Sequence, residues 1–344
     1  MKRTILLLLL VLLLTGCAAP VPEATSAPAP APSGTQPVST LVPQGYTNEQ
    51  SAAMSRFMSA GRWLIDGDTM YGLDYDEQYR PALVSCRLRG GKLRSFRILC
   101  EDCVPEYLAL GDGCLYFLNG GALQRLTLKD PSVETLLEGP VRSLQLFEGA
   151  LYYTDGEGRF CRAGLDGETR ETLIEGPCDY AWSMPEGVVY QSEGEGCCLR
   201  MRLWDGAERK LTAAASYAPL RIGDVIWYSQ RDAEGSVIAS VDLRDGTVTR
   251  CATPELRGAA ELIPAAGGWA LRVFLAGDGW KQLLLRPGET EGAPCAYSGY
   301  RLCDYVGADC RIDAAYDPDG RLRCFVLVGA EGAEIRFFGG EILD

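Results

Sequence analysis

The sequence contains no histidine. That one absence removes Ser-His-Asp and Cys-His nucleophilic constellations, His-based lyase chemistry and most catalytic zinc sites. Basic charge is also short: 33 Lys and Arg stand against 46 Asp and Glu, a net charge of −13. An acidic chain disfavours nucleic acid and anionic membrane surfaces as partners. The plainer reading is that acidity keeps an exported protein soluble. No apolar run reaches the roughly 20 residues that a membrane-spanning helix needs. After the first 45 residues, no stretch sustains the 3.6-residue apolar period of a helix. Only Asn48 to Ser59 could form a short helix, and it could equally be a closing strand.

What is present begins with an export signal over residues 1–16. Lys2 and Arg3 form a charged start, and Ile5 to Leu14 is uninterruptedly apolar. That length suits a signal and is too short to span a bilayer as a helix. Leu14-Thr15-Gly16-Cys17 follows and resembles the lipobox of bacterial lipoproteins. The resemblance implies cleavage before Cys17 and acylation of its thiol, with two or three chains giving a stable anchor. Cys17 as an incidental residue of an ordinary secreted protein is the alternative. The expected address is the bacterial cell surface, on the outer face of the cytoplasmic membrane. In a diderm source it would be the outer membrane or periplasm. Residues 17–45 are rich in Ala, Pro, Ser and Thr, with Ala27-Pro28-Ala29-Pro30-Ala31-Pro32 at their centre. Such a segment cannot bury enough apolar surface to order itself, and it reads as a spacer.

Residues 46–344 carry a repeat. Gly113-Cys114-Leu115-Tyr116-Phe117, Gly149-Ala150-Leu151-Tyr152-Tyr153, Gly187-Val188-Val189-Tyr190 and Gly223-Asp224-Val225-Ile226-Trp227 align. Alternating runs follow and end at Asp130-Pro131, Asp166-Gly167, Asp205-Gly206 and Asp245-Gly246, which are turn chemistry. Trp63 to Tyr71, Gly268 to Val273, and Tyr300 to Phe338 supply fainter units. A repeat of about 36 to 45 residues with about four short strands is the size of a propeller blade. The expected fold is all-β: one β-propeller of seven four-stranded blades, with six the next choice. Tyr152-Tyr153-Thr154-Asp155, Arg162 and Leu165-Asp166-Gly167 resemble the YWTD repeat of lipoprotein-receptor propellers. They are also similar to propellers of unknown function in bacterial lipoproteins. The resemblance implies a binding or scaffold role and brings no catalytic residue. Tyr153 stands where the repeat has Trp, and the other blades lack the Thr-Asp pair.

Fourteen cysteines are present. Cys100-Glu101-Asp102-Cys103 has CxxC spacing, but no second CxxC completes a zinc site. Cys197 and Cys198 are adjacent, so on one strand they would face opposite sides. Cys114, Cys161 and Cys324 read as small buried apolar residues. Export favours disulfides, and the sequence leaves their pairing open. Carboxylates gather in loops at Asp74, Asp76 and Glu77, at Glu193 and Glu195, and at Asp317 and Asp319. Solvated turns explain them, and the EF-hand glutamate that a calcium loop requires is missing. Trp63, Tyr116, Tyr152, Tyr153, Tyr190 and Trp227 recur at blade spacing and read as inter-blade core before sugar platform. No catalytic residue, metal site or cofactor is expected; Cys17 is the lipidation site, and ligand-binding residues are unassigned. The function expected is a membrane-anchored, non-catalytic binding or scaffold module. It would recognise a protein, peptide or glycan on the propeller face, as a monomer. One alternative is a carbohydrate- or peptide-active hydrolase or lyase working through carboxylates. Another is a structural component of an envelope assembly.

Overall fold

The computed structural model describes residues 60–343, apart from 90–91, 223, 233–234, 251–259, 266–267, 276–278, 286–292, 296–300, 308–309 and 330–333. Side chains of 251–310 also lie outside the description. So do Cys17, the linker and the Asn48–Ser59 segment.

Seven antiparallel sheets follow one another along the described residues, each built from consecutive strands. Blade 1 holds β1 (Trp63–Asp66), β2 (Thr69–Tyr75), β3 (Pro81–Arg89) and β4 (Lys92–Glu101). Blade 2 holds β5 (Glu106–Gly111), β6 (Cys114–Asn119), β7 (Ala122–Thr127) and β8 (Val133–Leu137). Blade 3 holds β9 (Ser143–Phe147), β10 (Ala150–Thr154), β11 (Phe160–Ala163) and β12 (Arg170–Ile174). Blade 4 holds β13 (Cys178–Met184), β14 (Gly187–Ser192), β15 (Cys198–Leu203) and β16 (Glu208–Lys210). Blade 5 holds β17 (Ser216–Ile222), β18 (Val225–Asp232), β19 (Gly235–Asp242) and β20 (Val248–Arg250). Blade 6 holds β21 (Ala260–Ala265), β22 (Gly268–Leu275), β23 (Gly279–Leu285) and β24 (Ala293–Cys295). Blade 7 holds β25 (Arg301–Gly307), β26 (Cys310–Tyr316), β27 (Leu322–Gly329), β28 (Glu334–Phe338) and β29 (Glu341–Leu343). The protein is therefore a seven-bladed β-propeller, as the repeat predicts, with one strand more than expected in its last blade.

The repeated Gly marks the turn from the first to the second strand of a blade. Gly113 and Gly149 hold φ of 71° and 72° there, a left-handed conformation that costs glycine little. Asp166-Gly167 and Asp205-Gly206 close the turn between third and fourth strands. Each Asp carboxylate accepts the amide two residues on, from Glu168 at 3.0 Å and Ala207 at 2.9 Å.

Successive side chains on a strand face opposite ways, and a second strand sandwiched between two blades can bury both faces. Tyr153 packs with Leu118, Leu123 and Leu144 in the core between blades 2 and 3. Its neighbour Tyr152 packs with Phe160, Ile174 and Tyr190 between blades 3 and 4. Trp63, Tyr116 and Tyr190 likewise lie in cores between blades, as expected, and Trp227 is buried. The Thr154 hydroxyl bonds Ser143 at 2.9 Å, and Asp155 bonds its own turn. The Thr-Asp pair thus serves its own blade.

The ring closes by packing. Trp63, Met70 and Leu73 of blade 1 share a core with Ile312, Phe325 and Phe337 of blade 7. Among the described residues, no N-terminal strand completes the last sheet. Asp74, only 2 % exposed, spans the seam instead. Its carboxylate accepts the backbone amides of Gly339 at 3.1 Å and Gly340 at 2.8 Å. Its place in a solvated turn is thereby corrected: the expected loop carboxylate is a buried latch.

Candidate functional site

Two rims frame the ring. One carries the turns between second and third strands together with the connections from blade to blade; we call it the linker rim. Three of its turns share one construction. In Asp76–Arg80, Asp155–Arg159 and Asp317–Arg321, the Asp carboxylate accepts the amide of the Arg four residues on, at 2.9, 2.9 and 2.8 Å. In each, the Asp carbonyl accepts the amide of the fourth residue, at 2.9, 3.1 and 2.9 Å. That fourth residue is left-handed: Tyr79, Gly158 and Gly320 have φ of 60°, 81° and 77°. Asp155 is also gripped by Arg159 Nε at 2.8 Å. Burial works to raise its carboxyl, but the bonds from Arg159 and the turn amides outweigh this and hold it below the ordinary carboxylate range. The sequence signal is Asp-x-x-x-Arg after an apolar second strand; it can be read from the chain, but only the fold shows its three copies on one rim. Asp76 and Asp317 are the solvated turns expected of them.

Two cavities lined by described residues open on this rim. One, of about 570 Å³, lies between blades 2 and 3. Gly139 and Pro140 from the blade connection form one wall, and Tyr153, Glu157, Arg159 and Arg170 form the other. Arg159 bridges both Asp155 and Glu157 at 2.7 Å, and Arg170 Nε donates to the Gly167 carbonyl at 2.7 Å. Burial raises the thiol of Cys161 and the phenol of Tyr153, so neither is an activated nucleophile or base. The cavity offers fixed charge of both signs beside an apolar wall.

The second cavity, of about 270 Å³, lies at the seam between blades 1 and 7. Tyr75, Pro81, Val84, Phe96 and Ile98 make it apolar, and Glu101 and Asp102 edge it. Asp74 lies on its wall. Burial raises the Asp74 carboxyl, against the pull of the amides of Gly340, Tyr75 and Gly339.

The opposite rim carries an acidic residue in the first turn of each of blades 1 to 5: Asp66 with Asp68, Asp112, Glu148, Glu186 and Asp224. Asp68 sits between Arg87 and Arg89, and their bonds hold its carboxyl below the ordinary range. Glu186 is held by Arg221. Among the described residues, no group of three or more metal-ligating side chains converges, and Cys86, Cys100, Cys103, Cys114, Cys161, Cys178, Cys198 and Cys324 are free thiols. No described helix is long and apolar enough to cross a membrane.

No protein-family model matches the chain, and no curated protein matches it. Solved structures do. A puromycin-hydrolysing peptidase of Mycobacterium tuberculosis is 15% identical, with a TM-score of 0.54 over 82% of this chain and 54% of its own. A puromycin hydrolase variant, S511A, crystallised with PGG, is 17% identical, with a TM-score of 0.56 over 86% of this chain and 55% of its own. The propeller domain of the Trilobed protease of Pyrococcus furiosus, which has an open velcro topology, is 15% identical, with a TM-score of 0.55 over 80% of this chain and 95% of that domain. At these identities the likeness is one of fold. The chain spans little more than half the length of the two puromycin-hydrolysing proteins.

These likenesses correct the functional expectation. The structures just described come from two puromycin-hydrolysing proteins and a protease, so the reading of a self-sufficient, non-catalytic binding or scaffold module does not stand. Of the loop carboxylates weighed for a His-free hydrolase, Asp74, Asp76 and Asp317 accept backbone amides in the seam or in their own turns.

Proposed function

We propose that this chain is the propeller component of a surface-anchored peptidase. The carrying observation is the fold match, which takes in more than four-fifths of this chain and about half of each puromycin-hydrolysing protein. With no His in the sequence, a Ser-His-Asp triad needs side chains from outside these 344 residues. The linker rim is the face turned to that catalytic unit, because it holds both cavities and the arginines at 80, 159 and 321. The anchor is the acylated Cys17, which places the peptidase on the outer face of the membrane.

Deleting the gene in its native cell tests the reading. Hydrolysis of fluorogenic aminoacyl and oligopeptide substrates by intact cells should fall several-fold and return on complementation with the full chain. Unchanged hydrolysis across the panel would overturn the peptidase reading. The anchor has its own test: Cys17→Ala should abolish palmitate labelling and leave an uncleaved precursor, and equal labelling would refute the anchor alone.

A further inference from the structure

The CxxC stretch links blade 1 to blade 2. Cys100 is the penultimate residue of β4 and lies opposite Leu83 of β3. The Cys103 amide donates to the Pro81 carbonyl at 3.2 Å, so both cysteines are tied to the same strand. Between them Asp102 takes a left-handed φ of 50° and turns the chain sharply. Leu83 and Pro81, the β3 residues that Cys100 and Cys103 meet, are two positions apart, about 6.6 Å along a strand, and disulfides span about 4.4–6.8 Å between Cα atoms. Cys103 is wholly buried in the core between blades 1 and 2, and Cys100 packs, half-buried, against the same cluster. The Cys100 thiol donates to the Glu101 carbonyl at 3.6 Å. By contrast, Cys86, Cys114, Cys161, Cys178 and Cys324 stand on five different strands.

We propose that Cys100 and Cys103 form a reversible dithiol–disulfide couple, oxidised by a low-molecular-weight disulfide. Cys100, the more exposed, loses its proton, and its thiolate attacks one sulfur of the oxidant. A mixed disulfide forms and one thiolate leaves. Cys103 then loses its proton and attacks Cys100 Sγ, and the second thiolate leaves. Two protein protons end on the two departing thiols; the protein pair is oxidised by two electrons and the oxidant is reduced by two. Burial, with Asp102 and Glu101 nearby, holds the Cys100 thiol above its ordinary range, so the exchange is slow at neutral pH and quicker in mild alkali. The residues between the two cysteines, Glu101 and Asp102, edge the seam cavity. Disulfide formation therefore fixes the loop at the entrance of that cavity.

The full chain, incubated with oxidised glutathione at pH 8.5, quenched in acid, alkylated and peptide-mapped, tests the couple. Cys100 and Cys103 should lose alkylation together, carry no glutathione, and regain it with dithiothreitol. Cys103→Ala should trap a glutathione adduct on Cys100. Cys100→Ser, at the half-buried position where folding is safest, should leave Cys103 without adduct or partner. Persistence of both wild-type thiols, a lasting adduct on wild-type Cys100, or pairing of Cys103 with another cysteine in Cys100→Ser would each overturn the proposal.

Discussion

Gly72 shows how a single position constrains the ring. It lies on β2, opposite Trp63 of β1. A Cβ added there would stand 1.9 Å from the Trp63 ring. The indole cannot retreat, because its Nε1 donates to the Leu73 carbonyl at 3.0 Å and its ring packs edge-on against Phe325, 4.8 Å between centroids. Gly72→Ala should therefore destabilise by about 1–3 kcal/mol, the cost of overpacking, seen as a lower urea midpoint. Asp74 gives a pH signature. Its raised carboxyl pKa means that the folded state binds the proton more tightly than the unfolded chain does. Its contribution is thus fully present below the unfolded carboxyl range, near 3.9, and is lost as pH rises through the folded value. Asp74→Asn removes this dependence. Between pH 7 and pH 4.5, wild type should gain melting temperature relative to the variant; a constant gap would show the carboxyl to be unshifted.

Neighbouring blades are joined by polar ties as well as apolar faces. On β9, the Gln145 amide reaches β13 of the next blade, donating to the Ser183 carbonyl and accepting the Ser183 amide, both at 2.8 Å. Blades 4 and 5 are joined by Arg221 of β17, whose guanidinium meets both oxygens of Glu186 at 2.8 and 2.9 Å. Their side chains are 0% and 5% exposed. Removing one partner leaves a buried charge, so Arg221→Ala should cost about 3–5 kcal/mol in chemical denaturation. Replacing both, as Arg221→Met with Glu186→Gln, should recover part of that loss. Equal losses in single and double variants would mean that the pair acts through packing alone. The linker-rim turns belong to this scale too. Tyr79 occupies the left-handed position that glycine fills in the other two copies. Its ring contacts Phe338, 5.6 Å between centroids, and its hydroxyl donates to the Leu322 carbonyl at 3.3 Å, so seam packing offsets the strain.

For the whole molecule, the described inter-blade cores join blades 7, 1, 2, 3, 4 and 5 in sequence. A blade has two faces to bury, and a missing blade leaves two cores exposed at once. Deleting residues 141–176, which contain blade 3, should abolish cooperative folding, observed as the loss of a single sharp thermal transition. A smaller ring with a sharp transition would contradict this. Closure at the 1–7 seam rests on the packed core and Asp74, with no strand exchanged among the described residues, so seam variants should weaken the ring more than surface variants elsewhere.

Local chemistry made much of this legible in the chain. The Gly-x-Leu-Tyr openings, the Asp-Gly turns and the absence of a helical period are short-range facts, and they determined strands, turns and blade number. Tyr152 and Tyr153 could be read as core because adjacent strand residues face opposite sides, and in a stacked blade both sides are covered. Asp74 could not be read. It looks like its loop neighbours Asp76 and Glu77, and its burial depends on Gly339 and Gly340, some 265 residues away along the chain. The two cavities were hidden for the same reason, since each is walled by two different blades. Arg221 and Glu186 also look like ordinary charged residues until ring closure removes their water. Sequence determined the elements because their hydrogen bonds are between neighbours in the chain; tertiary structure decided the latch, the cavities and the buried pair because those arise only where distant blades meet.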